Sequence, residues 1–128
     1  MSEQPETNKP HGTGYSRVIK AFYCSIAGIR TAWKHEAAFR QEVMLCILLF
    51  PIAVIFGKSG IERALLVSCL FLILIVEIIN TAVEAAIDRI GAERNPLSKL
   101  AKDLGSSAVF LSIVHCIIVW LFVFFLSD

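Results

Sequence analysis

Apolar positions divide the 128-residue chain into four helical stretches. From about Ser16 to Phe39, Val18, Ile19, Phe22, Tyr23, Ile26, Ile29 and Trp33 recur at three- and four-residue steps, one face of a helix. Arg17, Lys20, Arg30 and Lys34 lie among them, which predicts a basic amphipathic helix resting on an anionic membrane surface. Val43 to Gly57 is an apolar run broken only by Pro51, and Ala37-Ala38-Phe39 can lengthen it at the headgroup end. Its length, roughly 22 Å as a helix, is short for a hydrocarbon core near 30 Å. After the turn Gly57-Lys58-Ser59-Gly60, a second run holds a helix from Ile61 to about Ile90. That helix is roughly 43 Å long, more than a bilayer core needs, so its last turns stand in water. Gly91 to Lys102 reads as a polar connection containing Pro96, and Leu104 to Leu126 as a third spanning run.

Composition agrees: 56% of residues are hydrophobic and the mean hydropathy is +0.70. The expected fold is an all-α integral membrane protein with an amphipathic surface helix at about 16–39. Transmembrane helices follow at about 40–57, 61–90 and 104–126. Residues 1–14, with Pro5, Pro10, Gly12 and Gly14, are expected to be a disordered tail, and 15–128 a single membrane-embedded domain. The first ten residues lack the apolar stretch of a cleavable signal peptide. A net charge of +1 argues against a nucleic-acid partner. Cys24, Cys46, Cys69 and Cys116 are scattered without a Cys-x-x-Cys pair, which indicates neither a disulfide framework nor a zinc site.

The distribution of charge fixes an orientation. Six Lys and Arg lie between Lys9 and Arg40, and Arg89, Arg94, Lys99 and Lys102 flank the second connection, whereas Lys58 and Arg63 alone mark the first turn. By the positive-inside rule the N-terminus and the second connection are cytoplasmic, and the C-terminus is on the far side.

Inside the second apolar helix, Glu77, Asn80, Glu84 and Asp88 follow one another at spacings of three, four and four. They share about 80° of arc on one face. Ala64 to Val76, just before them, carries no charge. A carboxylate near a bilayer centre costs about 2.5–3.5 kcal/mol on insertion scales, so such a stripe implies partners or chemistry. Polar glue between helices is the plain structural alternative. The orientation puts Glu77 just inside the hydrocarbon, Glu84 just outside it and Asp88 in water at the cytoplasmic face. That placement suits a reaction between a lipid headgroup and a cytosolic substrate. A proton or cation path would need polar residues across the full thickness, and Leu65 to Leu72 offers only Ser68.

Several familiar patterns fail. Gly57-Lys58-Ser59 ends like a phosphate-binding loop, but the required glycine five positions earlier is Ile52. A dinucleotide pattern begun by Gly12 and Gly14 fails at Arg17. His35 reads as a solvated interface residue and His115 as a helix-to-helix hydrogen-bond partner. Three groups remain that can meet at the cytoplasmic interface: Glu36, the Glu77–Asp88 stripe and the Lys102-Asp103 pair. Carboxylates such as Glu36 and Glu84 suit Mg²⁺, which commonly arrives with a nucleotide, and Lys102 suits phosphate charge. Glu77, poorly solvated, is the candidate general base. These are the parts phosphoryl transfer requires.

The same residues resemble a family. Glu77-Ile-Ile-Asn80-Thr81-Ala82-Val83-Glu84-Ala-Ala-Ile-Asp88-Arg89 is similar to the signature of the prokaryotic diacylglycerol kinases. The likeness continues in Arg17-Val-Ile-Lys20-Ala21, Ala32-Trp33-Lys-His-Glu36-Ala-Ala-Phe-Arg40-Gln41-Glu42 and Ala101-Lys102-Asp103-Leu-Gly105-Ser106. It covers nearly all of Tyr15 to Leu126 and departs locally at Cys24, Ile26 and Ala27. The resemblance implies a homotrimeric, multi-pass kinase of the bacterial inner membrane, with its C-terminus in the periplasm. It would phosphorylate the free hydroxyl of 1,2-diacylglycerol with MgATP, giving phosphatidic acid for phospholipid recycling. It implies Glu77 as catalytic base, with Glu36 and Glu84 holding the metal and its nucleotide. ATP contacts would also come from Arg17, Glu93, Arg94, Asn95, Lys102 and Asp103. The lipid would meet Arg17, Ala21, Ser25, Arg30, Gln41, Glu42, Glu77 and Ser106. Asn80 and Asp88 would support the active site. Two alternatives stay open: an undecaprenol kinase of the same family, and a non-enzymatic membrane assembly protein.

Overall fold

The computed structural model describes residues 13–126. The expectation of a disordered tail over 1–14 therefore lies, up to residue 12, outside the described residues. Four helices follow in order: α1 (Tyr15–His35), α2 (Ala37–Phe56), α3 (Gly60–Ile90) and α4 (Pro96–Phe125). The last three are long and apolar enough to cross a membrane. The protein is an all-helical membrane protein.

Two boundaries differ from those the apolar pattern suggests. The first helix ends at His35, not Phe39, because Glu36 turns extended (φ −103°, ψ 111°). Arg40, one turn into α2, donates through Nη1 to the carbonyls of Trp33 (2.9 Å) and Lys34 (3.2 Å). Those carbonyls belong to the last turn of α1, where helical partners run out, and the guanidinium supplies the missing donor. The fourth helix begins at Pro96, eight residues before the apolar run. Asn95 caps it, its Oδ1 accepting from Leu97 N at 2.8 Å and Ser98 N at 3.3 Å. Pro96 occupies the first turn, where no N–H is missed.

The α2–α3 turn is held in the same manner. Ser59 Oγ accepts from Glu62 N at 3.1 Å, and Glu62 Oε2 accepts from Lys58 N at 2.6 Å, a variant of the capping box. Arg63 Nε donates to Gly57 O at 3.0 Å and lays its stem over Gly57. A Cβ at Gly57 would sit 2.6 Å from Arg63 Cγ and 2.8 Å from Ala53 O, so no larger residue fits.

Helix α3 packs most extensively on α4 and next on α2, with α1 more loosely attached. Two apolar clusters fill the seams. Cys69, Leu70, Ile73 and Cys116 form one, and Ala53, Leu66 and Val123 the other, with Trp120 against both. The outward faces remain apolar: Leu48, Ile55, Leu111 and Phe122 are exposed. In water such surface would be costly, but against lipid tails it is the expected exterior.

Candidate active site

The polar stripe on α3 grades from buried to wet in helical order. Glu77 is 4% exposed and Asn80 8%, Glu84 is half-buried, and Asp88 is exposed. One chain alone thus shields Glu77. Asn80 Nδ2 donates to Glu84 Oε1 at 3.3 Å. Gly105 of α4 faces the other side of this amide, and a Cβ there would collide with Asn80 Oδ1. The absence of a side chain at Gly105 is thus what lets α4 pack against the Asn80 amide.

Around Glu77 the structure gathers further acids. Glu84 and Glu36 both lie within electrostatic reach of it, and so does Glu42 of α2. Glu36 owes its place to the extended break between α1 and α2, which the Arg40 cap maintains. Glu42 Oε2 and Asn80 Oδ1 are buried without a hydrogen-bond partner. Buried polar oxygens without donors are uncommon and costly.

Above the acids, a cleft of about 680 Å³ opens between the end of α3 and the start of α4. Asp88, Glu93, Arg94, Asn95, Lys102 and Asp103 line it. Lys102 Nζ donates to Asp88 Oδ1 at 2.5 Å, and Lys99 pairs with Asp103 one turn apart. Both pairs are largely solvent-exposed, so each ammonium is easily redirected to an entering anion. Beside the acids, an apolar groove of about 810 Å³ runs between α1 and α3, lined by Ser25, Arg30, Trp33, Phe39, Ile75 and Ile79 among others. Glu77, Glu36 and Glu84 line neither cavity: the cleft meets the stripe at Asp88, and the groove is walled on α3 by Leu74, Ile75, Ile78 and Ile79.

A family model described as prokaryotic diacylglycerol kinase matches residues 23–124. The diacylglycerol kinase of Escherichia coli is 48% identical over 108 residues, 84% of this chain and 88% of that protein. That of Pseudomonas aeruginosa is 45% identical over the same share of each chain. That of Helicobacter pylori is 37% identical over 111 residues, 87% of either chain. The chain belongs to the prokaryotic diacylglycerol kinase family. The resemblance read from its motifs stands.

Within this diacylglycerol kinase family member, not every expected residue converges. Arg17 and Ala21 are exposed on α1 and line neither cavity. Gln41 is exposed in the first turn of α2, and Ser106 is exposed on α4 beside Gly105. Sequence reasoning gave Arg40 and Lys99 no part in the site beyond the charge count and the motif, and Gly105 none beyond its place in the motif. Gly105 did carry a signal, a lone glycine at the entry of an apolar helix, which commonly marks a close backbone approach. Arg40 carried none, since its partners are main-chain carbonyls.

Proposed function

We propose that this chain transfers the γ-phosphoryl group of ATP to the free hydroxyl of 1,2-diacylglycerol at the cytoplasmic membrane interface. The products are ADP and phosphatidic acid. The observation that carries this reading is the buried carboxylate of Glu77 at the inner end of a polar stripe that reaches a polar cleft at Asp88, in a chain of this family. The acyl chains occupy the groove, and their glycerol end reaches Glu77 beside Ser25, Arg30 and Glu42. Ala21, Gln41 and Ser106 approach the lipid from the neighbouring surfaces, and Arg17 sits where both substrates enter. The nucleotide occupies the cleft, met by Arg94, Asn95, Lys102 and Asp103, with Glu93 beside it.

Glu77 accepts the proton of the acceptor hydroxyl as that oxygen bonds to the γ-phosphorus and the bond to the ADP oxygen breaks. Burial keeps this carboxylate out of competition with water. Asn80 anchors Glu84 by its amide, while Asp88 holds Lys102 until phosphate charge arrives. Among the described residues no cluster of three or more metal-ligating side chains occurs. Two carboxylates, Glu36 and Glu84, would hold a magnesium ion brought in with the nucleotide. Bound there, Mg²⁺ would neutralise charge on the triphosphate. We take the chain to assemble as a homotrimer in the bacterial inner membrane, and the excess of Lys and Arg around α1 and the α3–α4 connection supports a cytoplasmic N-terminus.

The test is transfer of radiolabelled phosphate in mixed micelles, with diacylglycerol or undecaprenol as acceptor and Glu77→Gln and Glu84→Gln alongside wild type. Label in phosphatidic acid, lost in both variants, establishes the reading. Label in undecaprenyl phosphate alone keeps the chemistry and replaces the acceptor. Absence of transfer to either lipid by folded wild-type protein returns the stripe to an assembly role. Light scattering of the detergent-solubilised protein should give a mass of three chains.

A further inference from the structure

Two thiols that are far apart in sequence meet inside the membrane-spanning bundle. Cys69 of α3 and Cys116 of α4 are both buried, with their Sγ atoms 3.2 Å apart. No other side-chain contact in the bundle pairs two oxidisable groups so closely among the described residues. Cys69 Sγ also touches its own helix, at 3.1 Å from Leu66 O, which fixes its rotamer toward the α3–α4 seam. Cys116 borders an apolar groove of about 340 Å³ between α2 and α4, along with Leu45, Leu49, Ile113, Ile117 and Trp120.

We propose that Cys69 and Cys116 are a redox modification site, closing to an intrachain disulfide when an apolar hydroperoxide of the membrane reaches Cys116 through this groove. The sulfur of Cys116 attacks the terminal peroxide oxygen, the O–O bond breaks, and the departing alkoxide takes the thiol proton, leaving an alcohol and a Cys116 sulfenic acid. Cys69 then displaces water from that sulfenic acid and the S–S bond forms. Two thiols lose two hydrogens, and the hydroperoxide ends as alcohol plus water. Depth favours the product. Cys69 lies eight residues, about 12 Å, deeper than Glu77 along α3, so glutathione and other polar reductants do not reach the bond. Apolar peroxides do partition there. Packing two small hydrophobes is the plain role for buried cysteines, and it requires neither sulfur-to-sulfur contact nor an apolar opening beside one of them. The proposal does not depend on the kinase reading.

The experiment uses the full chain in phospholipid vesicles, treated with cumene hydroperoxide. The protein is then unfolded, its free thiols are alkylated, and its peptides are mapped by mass. The expected result is a Cys69–Cys116 peptide pair lacking two hydrogens, with Cys24 still alkylated. A water-soluble phosphine should reverse it only after detergent is added. A Cys24→Ser, Cys46→Ala double variant should still form the bond. Four alkylatable thiols after treatment, separate sulfinic or sulfonic acids at the two positions, or a disulfide joining two chains would each overturn the proposal. Because the mapping is done on wild-type protein, it does not depend on any variant folding.

Discussion

At the scale of single residues, burial and exposure separate catalytic from stabilising roles along the stripe. Glu77→Gln keeps shape and removes a charge from a buried position, so transfer should fall by about 10²–10⁴-fold. Thermal unfolding in detergent should stay level or rise, since an amide is cheaper to bury than a carboxylate. A large loss of stability with little loss of turnover would make Glu77 structural. Gly105→Ala tests the neighbouring contact in the opposite sense. Its methyl would collide with Asn80 Oδ1 and push that buried amide off its place beside Glu84, at a cost of about 1–3 kcal/mol. A lowered unfolding midpoint should accompany lost activity, and an unchanged midpoint would show that the seam yields freely. The stripe itself was legible in sequence because its spacing of three, four and four is an arithmetic property of a helix. That Gly105 faces Asn80 and that Glu42 comes near Glu77 was not, because each depends on which atoms another helix brings opposite.

At the scale of elements, caps decide where the site residues stand. The pattern of apolar residues located the helices, yet it ran α1 four residues too far and began α4 eight residues too late. His35-Glu36-Ala37-Ala38 contains no helix breaker, so nothing local announces the break; Arg40 imposes it from the next helix. Conversely, Asn95-Pro96 is a good helix start, but the polar residues after it were taken for a connection rather than a wet helical extension. Arg40→Ala should leave the Trp33 and Lys34 carbonyls to water and loosen the junction that positions Glu36. Amide exchange over 33–37 should accelerate while α3 keeps its protection. Equal exchange in both proteins would dismiss the cap. Asn95→Ala should cost about 1 kcal/mol of helix stability and fray the turn that carries Lys99 and Lys102. The expected kinetic signature is a raised KM for ATP with an unaltered KM for lipid.

At the scale of the whole molecule, the loosely attached α1 has its own dependence on the bilayer. Val18, Phe22 and Tyr23 are 67, 63 and 69% exposed, so little of the protein covers them. The arrangement of basic residues among them is that of a helix seated at the headgroups, apolar face down. Seating α1 also closes the apolar groove against α3, where Arg30 and Trp33 form one wall and Ile75 and Ile79 the other. Phe22→Asp removes apolar burial worth about 1.5–3 kcal/mol and adds a charge that anionic lipid repels. Because Phe22 contributes little to the bundle, the unfolding midpoint should hold. Transfer in vesicles should then show a KM for the lipid acceptor raised by about tenfold or more, with the KM for ATP unchanged, since the cleft proposed for the nucleotide lies between α3 and α4. Short-chain diacylglycerol that dissolves in water should restore much of the rate, as its delivery does not require a seated α1. If the water-soluble acceptor is equally impaired, α1 contributes to the chemistry rather than to lipid capture.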